Sequence, residues 1–289
     1  MKQIQWFPGH MFKSLREIKE KLKLMDIVYI LLDARIPYSS MNPNVLEIVG
    51  VKPTLLLFNK IDLADHNQTK RWTKYYEEQG FYTLEIDAQS GKNVSMIYEK
   101  SLEILSDKIA RQKSKGMQQQ AIRAMIMGIP NVGKSTLINQ MTKTKATKTG
   151  NKPGVTKAQQ WVKINDQFEL LDTPGVLWPK FDLEQVGYSL AITGAIKDTI
   201  LPIDDVVYHA VEHLKQYYPK QLMERYELTS LDKEFIEILD EIGKRRGALL
   251  KGNEIDYERV YSILLTDIRN KHLGGLTFDR YDKLISISR

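Results

Sequence analysis

The 289-residue chain contains no cysteine. That absence removes thiol nucleophiles, Cys-ligated zinc and iron–sulfur clusters from consideration, and it leaves no disulfide to point to an oxidising compartment. Long hydrophobic runs are lacking too. The longest aliphatic stretches, Ile27 to Leu32 and Leu55 to Phe58, fall far short of the ~20 residues that a membrane-spanning helix requires. The opening segment, Met1-Lys2-Gln3-Ile4-Gln5-Trp6-Phe7-Pro8, has no apolar core of the kind that marks a secretory signal. A soluble, cytoplasmic protein without membrane partners is the expectation. Acidic residues are missing from one long tract: none occurs between Asp107 and Asp166, while 12 Lys and Arg lie from Lys108 to Lys163.

With 42% hydrophobic and 27% charged residues, what is present is the composition of an ordinary globular chain, and the length suits roughly two domains. The net charge of +6 divides unevenly: residues 1 to 181 hold 27 Lys and Arg against 17 Asp and Glu, and the remainder hold 15 against 19. A basic, acid-free tract suits polyanions, whether nucleotide phosphates or a nucleic-acid backbone.

Asp26 to Asp33, Thr54 to Phe58 and Tyr82 to Ile86 are short, near-continuous apolar runs, the pattern of strands covered on both faces of a parallel sheet. Lys13 to Leu24, Gln68 to Gln79 and Val94 to Ala110 carry helical spacing, and the polar stretch Arg111 to Gln120 reads as a linker. Ala121 to Met127 is a fourth strand, leading through Gly128 into a helix from Lys134 to Met141; Gln160 to Ile164 and Phe168 to Leu171 form a hairpin about Asn165-Asp166. Alternation of this kind predicts a doubly wound α/β domain over 1–180. Beyond it, Val206 to Tyr217, Leu231 to Ile242 and Tyr257 to Ile268 have helical periodicity, with Gly243 and Gly247 as stops, so 181–289 is predicted to be all-helical.

Gly128-Ile129-Pro130-Asn131-Val132-Gly133-Lys134-Ser135 matches a phosphate-binding loop and sits where one must, between a strand and a helix. The backbone from Asn131, Val132 and Gly133 through Lys134, Ser135 and Thr136 is expected to surround the phosphates. Lys134 would reach the β and γ phosphates, and the Ser135 hydroxyl would ligate Mg²⁺. Asn59-Lys60-Ile61-Asp62 ends a strand, and the Asp62 carboxylate can accept from both the guanine N1–H and the exocyclic amine, a donor pair adenine lacks. Asn59 would tie the loop down while the Lys60 stem lies along the base. Asp87-Ala88-Gln89 follows the third strand and offers backbone N–H groups to the guanine carbonyl. Asp172-Thr173-Pro174-Gly175 follows another strand; Asp172 is placed to hold Mg²⁺ through water, and the Gly175 N–H to contact the γ-phosphate. Thr156, in Pro153-Gly154-Val155-Thr156, is the candidate second Mg²⁺ ligand, with Thr147 and Thr149 as competitors.

The order is unusual, since Asn59 precedes Gly128, the reverse of most GTP switches. With this order, with Trp6-Phe7-Pro8-Gly9-His10-Met11 at the start, and with Asp33-Ala34-Arg35-Ile36-Pro37 after the first strand, the chain resembles the circularly permuted GTPases of ribosome assembly, most closely the YlqF/RbgA group. The resemblance implies a GTPase, loaded with GTP or GDP and Mg²⁺, that binds a late precursor of the large ribosomal subunit. It implies contacts to rRNA and ribosomal proteins, partly through the helical domain, and departure after hydrolysis. It also implies that His10 orients water, since Val176 stands where many GTPases place a Gln and cannot hydrogen-bond a water; a docking role for Trp6 to Met11 is the alternative. Asn131 matches a position that in some related GTPases helps to hold K⁺. Lys113, Lys115, Lys143, Lys145, Lys148, Lys244, Arg245 and Arg246 are the candidate RNA contacts. A monomer is expected. Two readings of function stand side by side: a hydrolytic switch acting on an rRNA-containing particle, and a recruitment module that binds GTP with negligible turnover.

Overall fold

A computed structural model describes residues 9–116, 120–143, 159–178, 181, 183–198 and 200–287, with side chains from residue 13 to residue 286. In chain order the elements are α1 (Gly9–Leu22), β1 (Ile27–Asp33), α2 (Pro43–Val49), β2 (Thr54–Asn59), α3 (His66–Glu78), β3 (Tyr82–Glu85), α4 (Met96–Ile104), α5 (Ser106–Ser114), β4 (Ile122–Gly128), α6 (Lys134–Thr142), β5 (Gln160–Asn165) and β6 (Phe168–Asp172). Then follow α7 (Glu184–Ile192), α8 (Ile203–Tyr217), α9 (Pro219–Tyr226), α10 (Phe235–Arg246), α11 (Tyr257–Arg269) and α12 (Tyr281–Ile287).

The six strands form one sheet in the order β3-β2-β1-β4-β6-β5. All neighbours run parallel except β5 and β6, which are antiparallel. Every residue of β1 and β2 is buried, which is why both read as unbroken apolar runs: helices cover each face, so neither face selects polar residues. The hairpin about Asn165-Asp166 forms as its sequence suggested, with Gln160 opposite Asp172.

Two differences from the sequence reading have local causes. The stretch read as a linker from Arg111 is helical to Ser114, within α5. None of that helix's residues is fully buried, and Ile109, packed against the core, is its one large apolar residue, too little to mark it among the polar residues around it; Asp107 at its start and Arg111 and Lys113 at its end complement its dipole. Gly243 does not stop α10. The helix runs through it to Arg246 and ends at Gly247, whose φ of 64° is left-handed. A Cβ at Gly243 would lie 2.9 Å from the Ile255 side chain, so the glycine there permits close packing.

In the helical region α8 turns Val206, Val207, Ala210, Val211 and Leu214 inward. Asp267 on α11 is a buried polar knot that accepts from Arg225 at 2.8 and 3.0 Å, from the Tyr226 hydroxyl at 2.9 Å and from His272 at 2.7 Å. The C-terminal segment then returns to the sheet. The Leu276 and Phe278 amides donate to Leu63 and Arg35 carbonyls, the Asp279 carboxylate accepts from the Ser39 amide at 2.6 Å and hydroxyl at 2.7 Å, and Trp72 of α3 donates to the Asp279 carbonyl at 2.8 Å. Tyr281 packs edge-on against Trp72, with ring centroids 5.4 Å apart. Among the described residues, no helix is long and apolar enough to cross a membrane.

Candidate nucleotide site

Strand register brings together motifs that are distant in sequence. Asp33 pairs with Asn59, Leu31 with Gly128, and Ile126 with Asp172. The guanine, phosphate and switch motifs therefore leave the carboxyl ends of β2, β4 and β6 side by side, flanking the point between β1 and β4 where strand order reverses, the place where open α/β sheets bind ligands.

The phosphate loop turns into α6 at Gly133, whose φ of 106° is costly for any residue with a Cβ; an added Cβ would also overlap the Asn59 amide. Lys134 is buried, and its ammonium donates to the Gly128 and Ile129 carbonyls at 3.1 and 3.0 Å. Burial pushes this lysine down to about 8, partly offset by the Asp172 carboxylate. The charge is thus held inside the loop, at the dipole-positive start of a helix, where a phosphate would sit.

The guanine motif is bolted to the phosphate loop by two side chains. The Asn59 amide donates to the Val132 carbonyl at 2.8 Å, and its oxygen accepts from the Ala88 N–H at 2.9 Å. Lys60, at a left-handed φ of 62°, donates to the Asn131 carbonyl at 2.8 Å and to Asp33 at 2.9 Å. Burial lowers the Lys60 ammonium, opposed chiefly by Asp33. Burial raises the Asp33 carboxyl, but Arg35 and Lys60 outweigh that and hold it well below the usual carboxylate range. The Asp62 carboxylate is exposed, and its pKa is raised by desolvation and then by Asp87. Asp87 braces the next turn, accepting from the Gln89 N–H at 2.9 Å and from the Ser90 hydroxyl. The Ala88 and Gln89 N–H groups, read from sequence as guanine contacts, thus have intramolecular partners here.

Asp172 is buried at the end of β6, and Thr173 behind it donates to the Ile126 carbonyl at 2.7 Å. A Cβ on Gly175 would lie 2.8 Å from the Pro130 Cα, so glycine is what lets the switch strand lie against the phosphate loop. The Val176 N–H donates to the Gly128 carbonyl at 3.2 Å, and its carbonyl accepts from Asn42 at 3.0 Å. The Val176 side chain is buried.

Of the remaining candidates, His10 lies on α1 with its side chain outside the described residues, and Thr156, Lys145 and Lys148 fall outside them entirely. Ser135 and Thr136 lie in the first turn of α6. Lys113, Lys115, Lys143 and Lys244 are exposed. Arg245 pairs with Glu227 at 3.6 Å, while Arg246 lies over the Tyr226 ring and donates to the Arg225 carbonyl, which commits it to local packing. Asp33, Arg35 and Asn42 are site-supporting residues to which the sequence assigns no role. The sequence shows the first two only as part of the Asp33-Ala34-Arg35-Ile36-Pro37 motif and as a charged pair at the end of an apolar strand, where an unpaired charge would be costly.

Residues 123–251 match the family model described as 50S ribosome-binding GTPase. The chain is 54% identical to ribosome biogenesis GTPase A of Priestia megaterium over 96% of each chain, and 28% identical to that of Thermotoga maritima over 99% of this chain and 98% of the other. The crystal structure of GNP-bound YlqF from T. maritima is similar with a TM-score of 0.68 and 25% identity, covering 93% of this chain and 98% of that one. The GDP-bound structure of the same protein gives 0.67 and 25%, covering 92% and 100%.

Proposed function

The chain belongs to the ribosome biogenesis GTPase A family, and from that premise we propose that it is a GTP-hydrolysing switch that binds a late precursor of the large ribosomal subunit and is released after hydrolysis. The observation that carries the nucleotide part is the double tie between loops, Asn59 to Val132 and Lys60 to Asn131. It makes base recognition and phosphate recognition one rigid unit.

In this reading Asp62 accepts from the guanine edge, and Lys134 with the loop amides neutralises the phosphates. The donor set fits Mg²⁺: the Ser135 hydroxyl at the start of α6 and the buried Asp172 carboxylate beside Lys134 are hard oxygen ligands, and Thr156 completes them. When bound, Mg²⁺ supplies charge neutralisation at the β and γ oxygens. Asn131 is the candidate ligand for K⁺. Gly175 offers its N–H to the γ-phosphate, and loss of that contact on hydrolysis loosens the segment leading into α7. The buried Val176 leaves no side chain at that position to orient water, so turnover is slow until a ribosomal particle stimulates it, with His10 the residue proposed to place the water. The same observation favours the second reading, recruitment with negligible turnover.

The protein acts as a cytoplasmic monomer, with 1–180 as the GTPase domain and 181–289 as the helical rRNA- and ribosome-binding domain. A cleft of about 460 Å³ is lined by Lys108, Arg111 and Lys115 beside Pro53, Leu105 and Asp107; Lys108 is paired with Asp26, and Arg111 and Lys115 are the cations offered to RNA phosphates. GTP turnover with and without large-subunit particles tests the proposal: many-fold stimulation is expected, and an unchanged rate at full nucleotide binding would leave the recruitment reading in its place.

A further inference from the structure

A helix leaves its last carbonyls without intrahelical partners. At the end of α7 four consecutive carbonyls are taken by side chains from two different directions. Arg269 of α11 donates to the Ala191 and Ile192 carbonyls at 2.8 and 3.0 Å. From the nucleotide site, Arg35 donates to the Thr193 carbonyl at 3.3 Å and Asn131 to the Gly194 carbonyl at 2.8 Å. The negative end of the helix dipole favours this concentration of donors.

The two donors on the nucleotide side are not peripheral. Asn131 is in the phosphate loop, and its carbonyl holds Lys60. Arg35 is 2% exposed and forks onto Asp33 at 2.9 and 2.7 Å, and Asp33 holds the same Lys60. The third guanidinium nitrogen, Nη1, is buried and has no hydrogen-bond partner among the described residues. A buried donor left unmet is unfavourable, so a small resettling of the carbonyl turn towards Arg35 would be rewarded.

We propose that the C-terminal turn of α7 reads the occupancy of the nucleotide site, with Arg35 and Asn131 as positioning residues that connect the guanine and phosphate loops to the helical region. The proposal rests on the guanine-nucleotide reading of the site. Nucleotide fixes both loops, both loops fix their two donors, and the donors seat residues 193–194; Arg269 carries that seating to α11. Coupling of this kind is reciprocal: whatever seats the turn from the helical side also tightens nucleotide binding.

Hydrogen exchange of the 190–198 backbone in the full chain, with and without saturating GDP, tests this, with GDP affinity measured separately by titration of a fluorescent GDP. In the unaltered chain GDP is expected to slow exchange in this segment about fivefold or more. In Asn131→Ala, and in Arg35→Lys, which keeps the charge but loses the fork, the slowing disappears at GDP concentrations that fill the site. Asn131 is only partly buried, so its variant serves if the Arg35 variant fails to fold. Arg269→Ala, which alters no residue of the nucleotide loops, is expected to weaken GDP affinity about fivefold. Variants that bind GDP and still show the full slowing, or an Arg269 variant with unchanged affinity, would overturn the proposal. GDP binding by the unaltered chain without slowing overturns it alone, whereas no GDP binding overturns the site reading together with it.

Discussion

Nucleotide binding should draw a proton onto Lys134. In the nucleotide-free fold burial holds this ammonium at about 8 against an ordinary 10.5, a difference worth roughly 3 kcal/mol at ~1.36 kcal/mol per pH unit. The penalty falls on the charged form, so this lysine's contribution to the stability of the nucleotide-free fold is lowest below pH 8 and rises as pH climbs from 8 towards 10.5. Phosphate oxygens placed beside the ammonium remove the penalty and return the group to its ordinary range. Affinity for GDP should therefore be level below pH 8 and fall about tenfold per pH unit above it, leaving binding at pH 9 about tenfold weaker than at pH 7. At pH 8.5 about three-quarters of a proton should be taken up per GDP bound. Calorimetric titration in buffers of different ionisation enthalpy measures that uptake directly, and Lys134→Arg, which does not titrate in this range, should abolish it. Zero uptake at pH 8.5, with affinity flat from pH 7 to 9, would refute the placement of a buried, depressed lysine against the phosphates.

Asp62→Asn removes an acceptor for two guanine donors; with charge-assisted bonds at about 1.5–3 kcal/mol each, GDP affinity should drop at least 100-fold while xanthosine diphosphate gains, as competition titration would read. His213, held at about 4 by burial, which the hydrogen bond to the Thr277 carbonyl 3.0 Å away only partly offsets, is neutral in the fold and charges first in the unfolded chain. Its contribution is present above pH 6.5 and is lost as pH falls towards 4, by about 2 kcal/mol between pH 7.5 and 5. Urea unfolding of His213→Gln against the unaltered chain should show that gap closing in the variant's favour by this amount; a constant difference would contradict it. Replacing Arg111 and Lys115 by alanine together should weaken RNA binding and reduce the slope of log affinity against log salt by about 1.5, whereas an unchanged slope would remove the α5 cleft from the RNA-binding face.

How much of this could be read from the chain alone depended on whether local pattern and tertiary role coincided. Strands β1, β2 and β4 are covered on both faces, so their apolar runs announced them, and the motifs at their ends fell where register later joined them. Helix α7 escaped notice because all seven residues from Val186 to Ile192 are buried; a helix apolar all round has no amphipathic period to detect. Its C-terminal turn accepts from Arg35 and Asn131 on one side and from Arg269 on the other. The return of residues 276–287 to α3 was likewise invisible, since it depends on single long-range bonds such as Ser39 to Asp279 and Trp72 to the Asp279 carbonyl. Asp62 and Lys134 could be assigned from motif chemistry, whereas Asp33 and Arg35 act only through Lys60 and a distant helix end, a role that no spacing encodes.

A guanine-nucleotide switch that acts on the large-subunit precursor should bind it in one nucleotide state and not the other, and cosedimentation of the full chain with those particles reads this out. In the presence of a non-hydrolysable GTP analogue the protein should travel with the particles, and with GDP it should remain in the supernatant. Equal association in both nucleotide states, or none in either, would contradict the account.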